Sequence, residues 1–129
     1  MRRLNFFILR KKIMTRPVLT EQHIHPAAQA TVSAFNQDIV QEVQLAIAKH
    51  QIVVVGMKQN PVVKSARTLL SDAGLAYHYL EYGSYLSQWK RRLALKMWTG
   101  WPTFPMVFRD GVLLGGYKEV KALIALKAI

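Results

Sequence analysis

From residue 35 onward the apolar positions recur with regular periods. Ile39, Val43, Ala46 and Ile47 fall on one helical face, with Asn36 or Asp38 available to cap its start. Ile52-Val53-Val54-Val55-Gly56 is a short β-branched run, the pattern of a buried strand. Asn60-Pro61 then sets a capping residue before a proline at the first helical position. Val62, Val63, Ala66, Leu69 and Leu70 give the helix that follows an apolar side, and Gly74 ends it. Ala76 to Tyr82 reads as a second strand. Ser84 to Trp98 reads as a third helix, with Leu86, Trp89, Leu93 and Met97 inward and Lys90, Arg91, Arg92 and Lys96 mostly outward. After Trp101-Pro102-Thr103-Phe104-Pro105, the strands Met106–Arg109 and Val112–Leu114 flank Asp110-Gly111, a two-residue hairpin signal. Gly115-Gly116 breaks the chain before a last helix of about Lys118 to Ala128.

The first two strands, joined through a helix, should run parallel, and the last two form an antiparallel hairpin. This order predicts an α/β domain, a four-stranded mixed sheet flanked by helices, over residues 35–129. Residues 17–34 mix Pro, Ala, Ser and Thr without a sustained period and read as a linker or loosely attached arm. Residues 1–16 carry Arg2, Arg3, Arg10, Lys11, Lys12 and Arg16 without an acid, beside Phe6, Phe7, Ile8 and Leu9. The apolar stretch Leu4–Leu9 is too short for a secretory core and no small-residue cleavage site follows, so Met14 reads as the working start. Residues 1–34 are therefore expected to form a basic N-terminal arm.

Composition narrows the chemistry. Eighteen Lys and Arg against seven Asp and Glu give a formal charge of +11, which favours anionic partners. The cysteine count is zero, which excludes a disulfide, a thiolate nucleophile, a thiolate metal site and a cysteine-ligated iron–sulfur cluster within these residues. No apolar run reaches the ~18–20 residues of a membrane-spanning helix, and a soluble, cytoplasmic protein is expected. His23 and His25 form an H-x-H pair, but no carboxylate cluster completes a metal site, so no metal is expected. Ser65 beside Lys64, and His78 in the second strand, are the candidates for other enzyme chemistry. Ser65 reads as solvent-facing, and His78 alternates as in any half-buried strand, with no His–carboxylate arrangement at short range. The basic arm and the Lys90–Lys96 helix, with Phe6, Phe7 and Trp89, leave a nucleic-acid-, membrane-surface- or protein-binding module as the alternative reading.

Several motifs in order resemble a known family. Asn60-Pro61-Val62-Val63-Lys64-Ser65-Ala66-Arg67-Thr68-Leu69-Leu70 is similar to the C-P-Y-C-K-x-A-x-x-L-L of glutaredoxins. Trp101-Pro102-Thr103-Phe104-Pro105 resembles the W-P-T-x-P of the monothiol branch, and Asp110-Gly111 followed by Gly115-Gly116-Tyr117 matches the family's hairpin and G-G-Y. The resemblance covers about residues 36–127 and implies a thioredoxin-like fold. On this alignment Asn60 and Val63 stand at the two cysteine positions. On the monothiol pattern Met57-Lys58 matches M-K, with a shortened loop and again no Cys.

Disulfide exchange needs a thiolate at the helix N-terminus, and an amide cannot replace it. The expectation is thus a glutaredoxin-like protein inactive as a thiol–disulfide oxidoreductase, without a resident cofactor or iron–sulfur cluster, and monomeric. Its implied ligand is glutathione or another small anion, bound weakly. By resemblance, Lys58 and Arg92 would meet a peptide carboxylate, and Asn60 would cap the helix. Thr103, Phe104 and Pro105 would present backbone beside a cis proline, where Met106 replaces the family's Gln. Gly115 and Gly116 would let the ligand approach the backbone. Lys118 stands where the family commonly has an Asp for the ligand's ammonium, with Glu119 one residue away.

Overall fold

A computed structural model describes residues 17–129; the readings of the basic start and of Met14 lie outside the described residues. The chain divides after Ala34 into two units. The first contains a 3-10 turn, Glu21–His23, and helix α1, Pro26–Ala34. Residues 17–34, read as a linker or loosely attached arm, thus contain a 3-10 turn and a short helix. Pro26 opens it at the position where proline is preformed for a helix, and its alanines carry high helix propensity. It buries no residue, so it shows no apolar stripe for periodicity to detect. Both histidines of this unit are engaged locally: His25 Nδ1 accepts from the Ala27 N–H at 3.1 Å, and His23 Nδ1 lies 2.7 Å from Thr20 Oγ1.

In the second unit, α2 (Gln37–Lys49) precedes β1 (Ile52–Gly56), α3 (Pro61–Asp72) and β2 (His78–Glu81). Then come α4 (Trp89–Thr99), the hairpin β3 (Met106–Arg109) and β4 (Val112–Gly115), and α5 (Tyr117–Ala125). The sheet order is β2-β1-β3-β4, with β1 parallel to β2 and antiparallel to β3. Asp110 and Gly111 both take positive φ, 51° and 80°, the geometry of a two-residue hairpin turn.

Alternation along β1 decides the layers. Val53 and Val55 pack with Ile39, Val43 and Ala46 of α2 and Leu95 of α4, while Ile52 and Val54 pack with Leu70 of α3 and Val120 of α5. All five β1 residues are buried because helices cover both sides. No helix among the described residues is long and apolar enough to cross a membrane.

The third predicted helix is corrected in start and in phase. α4 begins at Trp89, after a turn at residues 84–87 and a left-handed Gln88 (φ 56°). Leu86, Trp89, Leu93 and Met97, expected inward, are exposed, and the buried side is Arg92, Ala94 and Leu95. Arg92 can be interior because its Nη1 donates to the carbonyls of Tyr82 and Ser87, which satisfies charge and backbone together.

Candidate functional site

The start of α3 lies directly after β1 and its short loop. Asn60 Oδ1 accepts from the Val62 N–H at 2.9 Å and the Val63 N–H at 3.1 Å, and its Nδ2 donates to the Tyr85 hydroxyl at 3.4 Å. Tyr85 belongs to the turn before α4, where no periodicity pointed to it. Val63 is 2% exposed and closes over Gly56. A Cβ built on Gly56 would fall 2.5 Å from Val63 Cγ1 and 3.0 Å from the Tyr79 ring, so only glycine fits. The two positions that the resemblance equates with cysteines therefore hold a self-satisfied carboxamide and a core methyl group. Neither can attack sulfur.

A second cluster forms where the chain enters β3 and leaves β4. The Phe104–Pro105 peptide is cis. Gly115 has φ 119°, and a side chain there would strike Glu119 and the Trp101 ring. A Cβ on Gly116 would lie 3.4 Å from the Pro105 carbonyl oxygen and 3.7 Å from Trp101 Nε1, so the two segments meet. The indole N–H of Trp101 is buried and has no acceptor among the described residues.

Glu119 Oε1 accepts from the Gly116 N–H at 3.1 Å, which commits that carboxylate to the start of α5. Thr103 and Lys118 are exposed, whereas Phe104 and Pro105 are buried. Lys58 is exposed, its backbone N–H donating to the Gly83 carbonyl at 2.7 Å. Arg92 is placed apart from these residues in role: at 7% exposure its guanidinium is taken up by the Tyr82 and Ser87 carbonyls.

On the β2 side of α3 lies an open cleft of about 570 Å³, lined by Asn60, Lys64, Arg67, Tyr79 and Glu81 with Met57, Gln59, Pro61 and Val63. The Arg67 guanidinium lies 3.8 Å above the Tyr79 ring, and its Nε donates to the Tyr77 hydroxyl at 3.3 Å. Burial, and then the Glu81 carboxylate that accepts the Tyr79 O–H at 3.0 Å, push the Tyr79 phenol up to about 12. Burial and Glu42 act likewise on Tyr82, whose phenol is raised further. His78 stacks on His50 with ring centroids 4.1 Å apart, and Ser65 is exposed. No nucleophile–base pair forms from these residues. Among the described residues, no group of three or more His, Cys, Asp or Glu could hold a metal ion.

No family model matches the chain. A glutaredoxin-like protein of Dictyostelium discoideum is 46% identical over 85 residues, 66% of this chain and 69% of that protein. Glutaredoxin 3 of Danio rerio is 35% identical over 71 residues, of which the match spans only 21% of its own length. Among solved structures, a buckwheat glutaredoxin–glutathione complex superposes with a TM-score of 0.63 at 22% identity, covering 72% of this chain and 84% of that one. The holo form of glutaredoxin C1 from Populus tremula x tremuloides gives 0.62 at 21% identity, with 72% and 84% coverage. These structural neighbours establish the thioredoxin-like architecture, and the Dictyostelium relative establishes descent. The chain belongs to the glutaredoxin family, as a glutaredoxin-like protein with no cysteine among its 129 residues.

Proposed function

We propose that this chain is a binding protein on a glutaredoxin scaffold, without thiol–disulfide exchange, whose ligand is a small carboxylate-bearing anion of the glutathione type. The observation that carries this reading is Asn60. Where the resemblance puts the attacking thiolate, a carboxamide oxygen already satisfies the Val62 and Val63 N–H groups. Exchange requires a thiolate to form a new S–S bond while the displaced sulfur leaves as a thiolate. No side chain here can form that bond. The same donor set does not fit an iron–sulfur cluster, because an amide and a buried valine replace the thiolates.

For the anion, Lys58, Thr103 and Lys118 are accessible. Lys58 and Lys118 favour carboxylates, and Lys118 opposes an ammonium. Arg92 and Glu119 are committed elsewhere, which leaves few charged contacts and weak binding. Such a protein would work as a cytoplasmic monomer. A nucleic-acid-binding reading through α4 has less support, since Arg92 is buried and Arg91 pairs with Asp38 at 3.3 Å.

Two assays test the proposal. Reduction of a glutathione mixed disulfide should proceed at the uncatalysed rate, and turnover above it would refute the loss of chemistry. An amide-shift titration with reduced glutathione should move Lys58, Asn60, Thr103, Phe104, Met106 and Gly115 to Lys118 at millimolar ligand; a flat titration would refute the retained site. Lys118→Asp should tighten glutathione several-fold while weakening a simple dicarboxylate, because the substitution inverts the charge that faces the ammonium.

A further inference from the structure

Helix α4 turns a row of large apolar side chains to solvent. Leu86, just before the helix, is 95% exposed, Trp89 57%, Met97 45%, and Leu93 and Trp98 38% each. Residues 89, 93 and 97 follow helical spacing and lie along one side of α4, and Leu86 stands in the turn that leads into it. Single exposed apolar residues are ordinary, but a contiguous row marks an interaction surface. The helix cannot rotate to hide it. Its opposite side is held by Ala94 and Leu95 in the core and by the hydrogen bonds of Arg92 to two carbonyls.

We propose that this row is a docking surface for an anionic lipid bilayer. The helix would lie along the interface, with Leu86, Trp89, Leu93 and Met97 entering the acyl-chain boundary and Lys90 and Lys96 meeting headgroup phosphates. Three observations favour lipid over other occupants. The 11-residue helix WKRRLALKMWT contains no acid, and Lys90 Nζ lies 5.7 Å from the Trp89 ring, so cations flank the apolar row directly. The row is rich in tryptophan, leucine and methionine, and tryptophan settles at headgroup depth. The chain's charge of +11 draws it to an anionic surface and opposes a second copy, which would bring the same lysines face to face. A helix of this length is far short of a bilayer's ~30 Å core, so it would lie on the surface rather than cross. Binding would be reversible and salt-sensitive.

The experiment uses the full chain with phosphatidylcholine vesicles, with and without phosphatidylglycerol. The three tryptophans of the chain are Trp89, Trp98 and Trp101, so intrinsic emission reads α4 and the segment just after it, and is silent for residues 1–34. The expected result is co-sedimentation with the anionic vesicles alone, a blue shift of tryptophan emission, and loss of both as salt rises. Replacing the exposed anchors together, Leu86→Ser with Trp89→Ser, should lower vesicle partitioning about tenfold or more, since two large apolar side chains no longer leave water. Lys90→Glu with Lys96→Glu should do the same, and circular dichroism checks that both variants fold.

Four outcomes overturn the proposal. The first is no association with either vesicle. The second is association with unchanged emission, and the third is a serine variant that binds like the parent; both assign binding to the basic start of the chain. The fourth is a lipid-free dimer that the serine variant dissolves, which makes the row an interface between copies.

Discussion

At the start of α3, two backbone N–H groups that could stabilise a thiolate are instead bound by the side chain of Asn60. Asn60→Ala should therefore cost about 1 kcal/mol, read as a shift of the urea midpoint, because the cap is lost and nothing replaces it. Asn60→Cys asks whether the surrounding chain still activates sulfur. The new thiol should ionise below the ordinary value of ~8.5, with alkylation already fast near neutral pH; an unshifted profile would show that this helix start no longer does so. Tyr79 gives a pH-dependent counterpart. Burial first, and Glu81 second, hold its phenol protonated to about 12 in the fold, while an unfolded tyrosine ionises near ~10. The unfolded state thus releases its proton first, so Tyr79 contributes nothing to pH dependence below ~10 and the fold loses stability as pH rises from about 10 toward 12. Tyr79→Phe should remove that part of the alkaline loss in a series of urea midpoints. The Asn60 cap was legible in the sequence because Asn-Pro is a local signal. Tyr85 and the stacked His50–His78 pair were not, since both depend on contacts distant in the chain.

Helix α4 shows where periodicity is ambiguous at the scale of an element. Its sequence supports two faces, Leu86/Trp89/Leu93/Met97 and Arg92/Leu95, and hydrophobicity alone selects the first. The fold selects the second because Arg92 reaches the carbonyls of Tyr82 and Ser87, a partnership that no hydropathy pattern records. Adjacent leucines can tell the two phases apart. Leu95 is fully buried, so Leu95→Ala should cost about 2–5 kcal/mol in chemical denaturation. Leu93 is exposed in part, and Leu93→Ala should cost under ~1 kcal/mol. The reverse order would restore the face expected from the pattern. The other elements of the domain were readable because each carried independent signals that agreed: β-branched residues in β1, the Asn60-Pro61 start and Gly74 stop of α3, and Asp110-Gly111 in the hairpin. Helix α1 lacked such signals, being short, alanine-rich and without a buried side.

For the whole molecule the governing quantity is charge. Eighteen basic residues face seven acids, and the described residues form only two ion pairs, Arg91–Asp38 and Arg109–Asp110. Both acids are largely exposed, and pairs of that kind contribute little. Self-repulsion among the remaining cations therefore opposes the folded state more than pairing supports it. Raising salt from about 10 mM to about 150 mM shortens the Debye length from ~30 Å to ~8 Å, which screens distant like charges but leaves the apolar layers on both sides of the sheet untouched. The melting temperature should rise over that interval, and the same salt should weaken association with any anionic partner. A melting temperature that falls with salt would mean that attraction between unlike charges outweighs repulsion, against the composition of the chain. Stability and anion binding should thus respond to ionic strength in opposite directions. That divergence separates a change in the fold from a change in what the fold holds.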